Sequence, residues 1–199
     1  MFPEADLAVN ATWTLYLLAF LIISAKKGHF QKTDTDYSSN PKSKKPLILF
    51  FSLHFLVYPL LSAGVGSLRE FYFFNEFYFS FFIAGIVFLT IGLIFSIISR
   101  YYLSSRWSFL AVASNKRPFI KDGPYKIVRH PICLGLFIIW LGASFVYVNW
   151  LGIAAAIFAL LPLLYWRVKI EEKKLTEIFS EDYLNYSQNT GMIFPKILN

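Results

Sequence analysis

The hexapeptide YVNWLG, residues 147–152, joins two long apolar runs, Pro131–Val148 and Trp150–Tyr165. Asn149 is its only strongly polar residue. So short a connection leaves no chain for anything but a tight antiparallel hairpin. The second run extends to Ile170 if Arg167 and Lys169 snorkel to the surface. Each half is then about 30 Å long at roughly 1.5 Å of rise per residue. The hairpin predicts that side chains flanking Pro131 meet side chains flanking Ile170 at one end of the bundle.

Three further apolar runs lie upstream: Leu7–Ala25, Pro46–Gly66 and Phe77–Ile98. Hydrophobic residues make up 56% of the 199, charged residues 16%, and 22 are Phe. A helix needs about 20 apolar residues to cross a bilayer. The pattern predicts an all-α, polytopic membrane protein of five transmembrane helices, the last two paired as the hairpin. The opening MFPEADLAVN carries Glu4 and Asp6 and no Lys or Arg, the reverse of a signal-peptide n-region. The first run is therefore expected to stay as a helix.

The net charge of +7 does not point to nucleic acid. Segment 26–45 holds six Lys, segment 99–129 seven Lys and Arg, and the tail after Tyr165 five. The loop 67–76 holds only Arg69 against Glu70 and Glu76, and the turn at Asn149 holds none. Positive loops stay in the cytoplasm. Five alternating spans then place the N-terminus outside and the C-terminus inside. Membrane lipid is an expected partner. Neither a metal nor an obligate protein partner is expected, and the single Cys133 cannot close an intrachain disulfide.

Segment 26–45 is polar and basic and predicts a mobile cytoplasmic loop. Gly85 and Gly92, seven residues apart with Ala84 beside Gly85, predict a close helix contact. After Ser99 the mixed aromatic and cationic stretch SRYYLSSRWSFLAVAS continues the helix or lies along the interface. Asp122-Gly123-Pro124 supplies a turn, and Pro131 suits a first helical turn. Past Ile170, the residues Leu175, Ile178, Phe179, Tyr183 and Tyr186 fall at helical spacing opposite Lys173, Lys174, Glu181 and Asn185. They predict an amphipathic helix, on the membrane or over a pocket, ending near Gly191 and Pro195. The expectation is a single membrane domain over 1–199: two peripheral helices and a basic loop in 1–76, and a core in 77–199.

The hairpin brings together Tyr125, Arg129 and His130 from one side and Arg167, Glu171 and Glu172 from the other. Adjacent carboxylates beside a bilayer repel each other and resist desolvation, and such groups in the membrane region mark functional sites. Two plainer roles remain open here: Glu171 and Glu172 starting a solvated helix, and Arg129 serving as a positive flank. Arg129 and His130 are suited to a carboxylate, Glu171 and Glu172 to an ammonium or to hydroxyls. Such a mouth would face the cytosol.

GPYKIVRHPICLG (123–135), RVKIEEKKL (167–175), FSEDYLNY (179–186) and FPK (194–196) occur in that order. Together they resemble the isoprenylcysteine carboxyl methyltransferase family and related integral membrane lipid methyltransferases. The resemblance covers Gly123 to Lys196. It implies S-adenosylmethionine as cofactor and a lipophilic methyl acceptor. It implies cofactor contacts at Tyr125, Val128, Arg129, His130, Pro131, Leu134, Gly135, Glu171, Glu172 and Tyr183. It makes Glu171, His130 and Arg167 the candidate catalytic residues. A carboxylate acceptor needs no base, whereas an amine would need one, with Glu171 or His130 as candidates. Two positions depart from the family pattern: Cys133 replaces the usual Tyr and Ser180 the usual Gly, the latter expected to change the turn only mildly. Alternatives are an NADPH-dependent membrane reductase, since some sterol reductases carry a similar R-H-P element, and a non-catalytic protein on the same scaffold.

Overall fold

A computed structural model describes residues 3–26, 41–68, 76–103 and 119–196. The elements in order are α1 (Pro3–Lys26), α2 (Pro41–Ser62), α3 (Tyr78–Leu103), a 3-10 turn (Gly123–Lys126) and α4 (Pro131–Val146). Then come α5 (Trp150–Ala155), one π turn (Ala156–Leu160) and α6 (Leu161–Asn189). Among the described residues the regular structure is all helical, as the apolar runs predict. Among the described residues, three helical stretches are long and apolar enough to cross a membrane: Pro3–Ile23, Tyr78–Leu103 and the rod Trp150–Asn189, which bends at Ser180. α4 is apolar but shorter. Large apolar side chains such as Phe79, Ile91 and Phe158 face outward, which suits lipid and not water. The protein is a multi-pass integral membrane protein.

The loop expected over 26–45 lies mostly outside the described residues, at 27–40. Its last five residues are already helical, because α2 begins at Pro41 and not at Pro46. Proline fixes φ near the helical value and starts a helix without wasting an N–H. Residues 69–75 and 104–118, which include most of the aromatic and cationic stretch, also lie outside the described residues.

α3 and α4 meet backbone to backbone. A Cβ added at Gly92 would lie 2.8 Å from the carbonyl oxygen of Gly135, and one at Gly142 would lie 2.7 Å from the amide nitrogen of Leu89. One at Gly85 would lie 2.6 Å from the nitrogen of Val146. In lipid, helices gain little from hiding apolar side chains, so close van der Waals contact across small residues holds them together. The paired glycines fix the height of α4 against α3, and so the position of Pro131 at its mouth.

The hairpin turns in three residues. α4 stops at Val146, two residues short of the apolar run, because Tyr147 and Val148 belong to the turn and Val148 takes φ 49. Asn149 does the rest. Its Oδ1 accepts the amide of Gly152 at 3.0 Å, capping α5, while its Nδ2 donates to the carbonyl of Val65 at 2.7 Å. Leu68 N–H donates to Val148 O at 2.9 Å. Tyr147 donates its hydroxyl to Asp6 at 2.6 Å and ties in α1.

Beyond the turn, Leu161 N–H bonds five residues back to Ala156 O, which defines the π turn. Pro162 follows, and a proline inside a helix lacks an N–H and clashes with the carbonyl four residues earlier. The widened turn absorbs that clash. Up to the bend at Ser180 the stretch from Trp150 is about 45 Å long, well over the hydrocarbon thickness. Its apolar part ends near Ile170, and the charged remainder projects from the membrane. The amphipathic segment expected there is helical: its residues up to Phe179 prolong the last span, and the rest forms a further helix after a break at Ser180 (φ 43, ψ −118).

Gly92→Ala is expected to destabilise the protein by about 1–3 kcal/mol, the usual result of overpacking a tight contact. Thermal unfolding in detergent checks this. Ile91→Ala, on the lipid-facing side, should shift the midpoint much less. Equal shifts for the two variants would contradict the backbone contact.

Candidate active site

The mouth of the hairpin is built from four pieces: the 3-10 turn, the first turn of α4, the middle of α6 and the strap 181–196. Gly123 takes φ 59, and the Tyr102 ring sits 2.6 Å from where a Cβ would be, so glycine is needed there on two counts. The turn buries Tyr125, whose hydroxyl makes a long bond to Ser99 O at 3.4 Å. Burial, and next the charge of Glu171, push its phenol well above the usual tyrosine range. Tyr125 therefore stays protonated and a donor. Its own carbonyl accepts the hydroxyl of Tyr186 at 2.6 Å.

Residues 128–130 then run beside the strap. Val128 bridges to Gly191, Arg129 N–H donates to Gly191 O at 2.8 Å, and His130 N–H donates to Met192 O at 3.0 Å. His130 is the residue before α4, and Pro131 follows it at the first helical position. The imidazole is thus fixed by backbone on both sides. It is 7% exposed.

The acidic pair arrives on α6. Glu172 Oε1 accepts Arg129 Nε–H at 2.6 Å and the Tyr183 hydroxyl at 3.2 Å. Arg167 Nη1 donates to Glu171 Oε2 at 2.9 Å, one helical turn away. His130 lies between the two acids, with Nδ1 3.8 Å from Glu171 Oε2 and Nε2 3.5 Å from Glu172 Oε1. The second distance permits electrostatic attraction but is too long for a good hydrogen bond. His130 Nε2 is buried and has no hydrogen bond among the described residues. A buried polar atom without a partner marks a place where a ligand group or water belongs.

Tyr125, Arg129, His130, Arg167, Glu171, Glu172 and Tyr183 therefore share one mouth. Val128 and Pro131 are buried beneath it, and Leu134 is half-buried one turn further in. Gly135 is turned elsewhere: a Cβ there would lie 2.0 Å from Ser96 Oγ on α3, so its small size serves the helix contact. Glu171 and Glu172 do not start a solvated helix; both are half-buried inside a continuous one. Three contributors escape a reading of the sequence. The carbonyls of Ser187 and Thr190 both accept from Arg129 Nη1, and backbone acceptors leave no signature in residue type. Phe119 packs its ring 5.1–5.3 Å from those of Phe179, Tyr183 and Tyr186.

Ser180 is more than a mild change. Its φ of 43 with ψ of −118 falls where glycine is at home and a Cβ is crowded. The bend it makes carries Tyr183 and Tyr186 back toward the turn at Tyr125.

A sequence profile of the phospholipid methyltransferase family matches residues 80–182. The matched stretch takes in α3, the 3-10 turn, the hairpin and both acids. Over 78 residues, 39% of the chain, it is 36% identical to protein-S-isoprenylcysteine O-methyltransferase of Saccharomyces cerevisiae, covering 33% of that protein. Over 75 residues, 37% of the chain, it is 39% identical to methanethiol S-methyltransferase of Pseudomonas deceptionensis, covering 27% of it. The matches thus span about a third of the length of these relatives.

Ser180→Gly is expected to stabilise the protein by about 1 kcal/mol, the low end of what a residue held in a disfavoured backbone region costs. A raised unfolding midpoint checks this. A lowered one would mean that the serine side chain contributes more than its backbone costs.

Proposed function

Because the chain belongs to the phospholipid methyltransferase family, we propose that it transfers a methyl group from S-adenosylmethionine to a lipophilic acceptor held in the bilayer. The observation that carries this reading is the meeting of His130 with Glu171 and Glu172 at one mouth, inside the stretch that the family profile matches. That match stands against the reductase alternative.

The residues suit the cofactor. It supplies an electrophilic methyl group and bears an ammonium, a carboxylate and ribose hydroxyls. Carboxylates suit the ammonium and hydroxyls, and the open Nε2 of His130 suits an oxygen. Glu172 is already oriented by Arg129 and Tyr183, and Glu171 by Arg167. Neither acid must reorganise to meet a ligand, which is the condition for tight binding and for alignment. Tyr125, Val128, Pro131 and Leu134 line or underlie the mouth and exclude water.

Glu171, His130 and Arg167 are the groups we assign to the reacting end. A carboxylate acceptor already offers a lone pair, and these residues then need only place it and screen charge. A thiol or amine must lose a proton, and Glu171 or His130 is positioned to take it. The relatives act, by their names, on an isoprenylcysteine and on methanethiol; an isoprenylcysteine-like carboxylate fits a bilayer-held acceptor best. We place five spans in the membrane with the N-terminus outside and the mouth facing the cytosol, because the basic segments then all lie on one side. In this reading residues 77–199 form the methyltransferase core and 1–76 a peripheral pair of helices.

Titration of S-adenosylmethionine into the purified protein should show saturable binding. Glu171→Ala or His130→Ala should weaken it by about ten-fold, roughly 1.4 kcal/mol. Labelled methyl donor supplied with a membrane extract should leave label in the lipid-soluble fraction. Near-native affinity in both variants would move the site elsewhere, and no binding by folded protein would end the proposal.

A further inference from the structure

Arg129 invites assignment as a ligand for the cofactor's carboxylate, since a guanidinium beside an open mouth suits an anion. Its geometry shows a different use. Nε–H donates to Glu172 Oε1 at 2.6 Å, which lies before the bend at Ser180. Nη1 donates to Ser187 O at 2.8 Å and also to Thr190 O, both after the bend. The backbone N–H of the same residue donates to Gly191 O at 2.8 Å. The guanidinium is about nine-tenths buried, 10% exposed against 13% for Glu172. Nε and Nη1 are therefore committed inside the protein, and their partners straddle the point where α6 changes direction.

We propose that Arg129 is a positioning residue that latches the strap 181–196 over the mouth and orients Glu172 for the cofactor, without binding the cofactor itself. The proposal rests on the reading of the mouth as the cofactor site. The strap's far end is held separately, by the backbone pairing at Gly191 and Met192 and by Ile193 buried in the core, whereas the part next to the bend has fewer holds. Tyr186 donates to Tyr125 O at 2.6 Å, Tyr183 donates to the same Glu172 oxygen, and Phe119 packs among the rings. The strap's outer side is exposed, at Leu184 and Phe194 among others. Ser180, at a strained φ, is the natural pivot. An intact latch keeps Glu172 Oε1 turned toward Arg129 and leaves His130 Nε2 to a ligand. Without it, the part of the strap between the bend and Gly191 loosens and the ligand escapes faster.

Lysine keeps the charge but has no planar fork to reach a carboxylate and two carbonyls at once. The test compares the full-length native protein with Arg129→Lys and Arg129→Gln in lipid nanodiscs. Amide hydrogen exchange is followed without cofactor, and steady-state kinetics with S-adenosylmethionine. We expect exchange over 183–192 to rise ten-fold or more in both variants, while 131–146 is unchanged. We expect KM for S-adenosylmethionine to rise about ten-fold with kcat within three-fold of native, because the reacting geometry returns whenever the strap closes. Strap exchange within two-fold of native in either folded variant would overturn the latch, as would a fall in kcat at unchanged KM. Loss of protection across 131–146 would overturn it too, since Arg129 would then support the whole fold. If the native protein transfers no methyl group, the functional reading fails, and the cofactor-free exchange alone decides the latch.

Discussion

Asn149 reverses the chain within three residues, and the far end of the bundle follows from that reversal. With both amide atoms committed, one capping α5 and one holding the segment after α2, the turn has no slack. α4 and the rod that follows must run back side by side, so their distal ends arrive together. The glycine contacts between α3 and α4 then set the height of α4. The π turn before Pro162 lets the rod continue past a residue that would otherwise break it. None of these devices touches a ligand, yet each decides where His130 stands relative to Glu171 and Glu172.

At the mouth, the two acids have different tasks because they have different neighbours. Glu172 is the more deeply set and receives Arg129 and Tyr183 on a single oxygen, with the edge of His130 beside it. Glu171 is more exposed and is steadied by Arg167 from one turn earlier. A buried charge pair contributes little net stability, and breaking it leaves a costly uncompensated charge. Such pairs fix geometry, and here they hold two acids side by side at the mouth.

Much of this is legible in the sequence. The brevity of YVNWLG between two apolar runs is enough to pair the helices, and the pairing is enough to bring residues 129–130 to residues 167–172. Gly85 and Gly92 announce a close contact, though not that Gly135 answers them and so faces α3. Other features leave no trace in residue type. The carbonyls that Arg129 grips are backbone, so its role as a strut is hidden behind its charge. The turn at Ser180 is marked only by the family's usual Gly, and its sharpness is under-read because serine disfavours the conformation it adopts. The early start of α2 is hidden because its first residues are polar and basic, which reads as loop.

The central claim is that the two polar clusters share one face of the bilayer. Spin labels at the exposed positions of Lys126 and Lys173, introduced as Lys126→Cys and Lys173→Cys with the buried Cys133→Ser, report it directly by pulsed-EPR distance in nanodiscs. The account predicts a separation well below the hydrocarbon thickness of about 30 Å. A distribution centred beyond that thickness would put the clusters on opposite leaflets and contradict it.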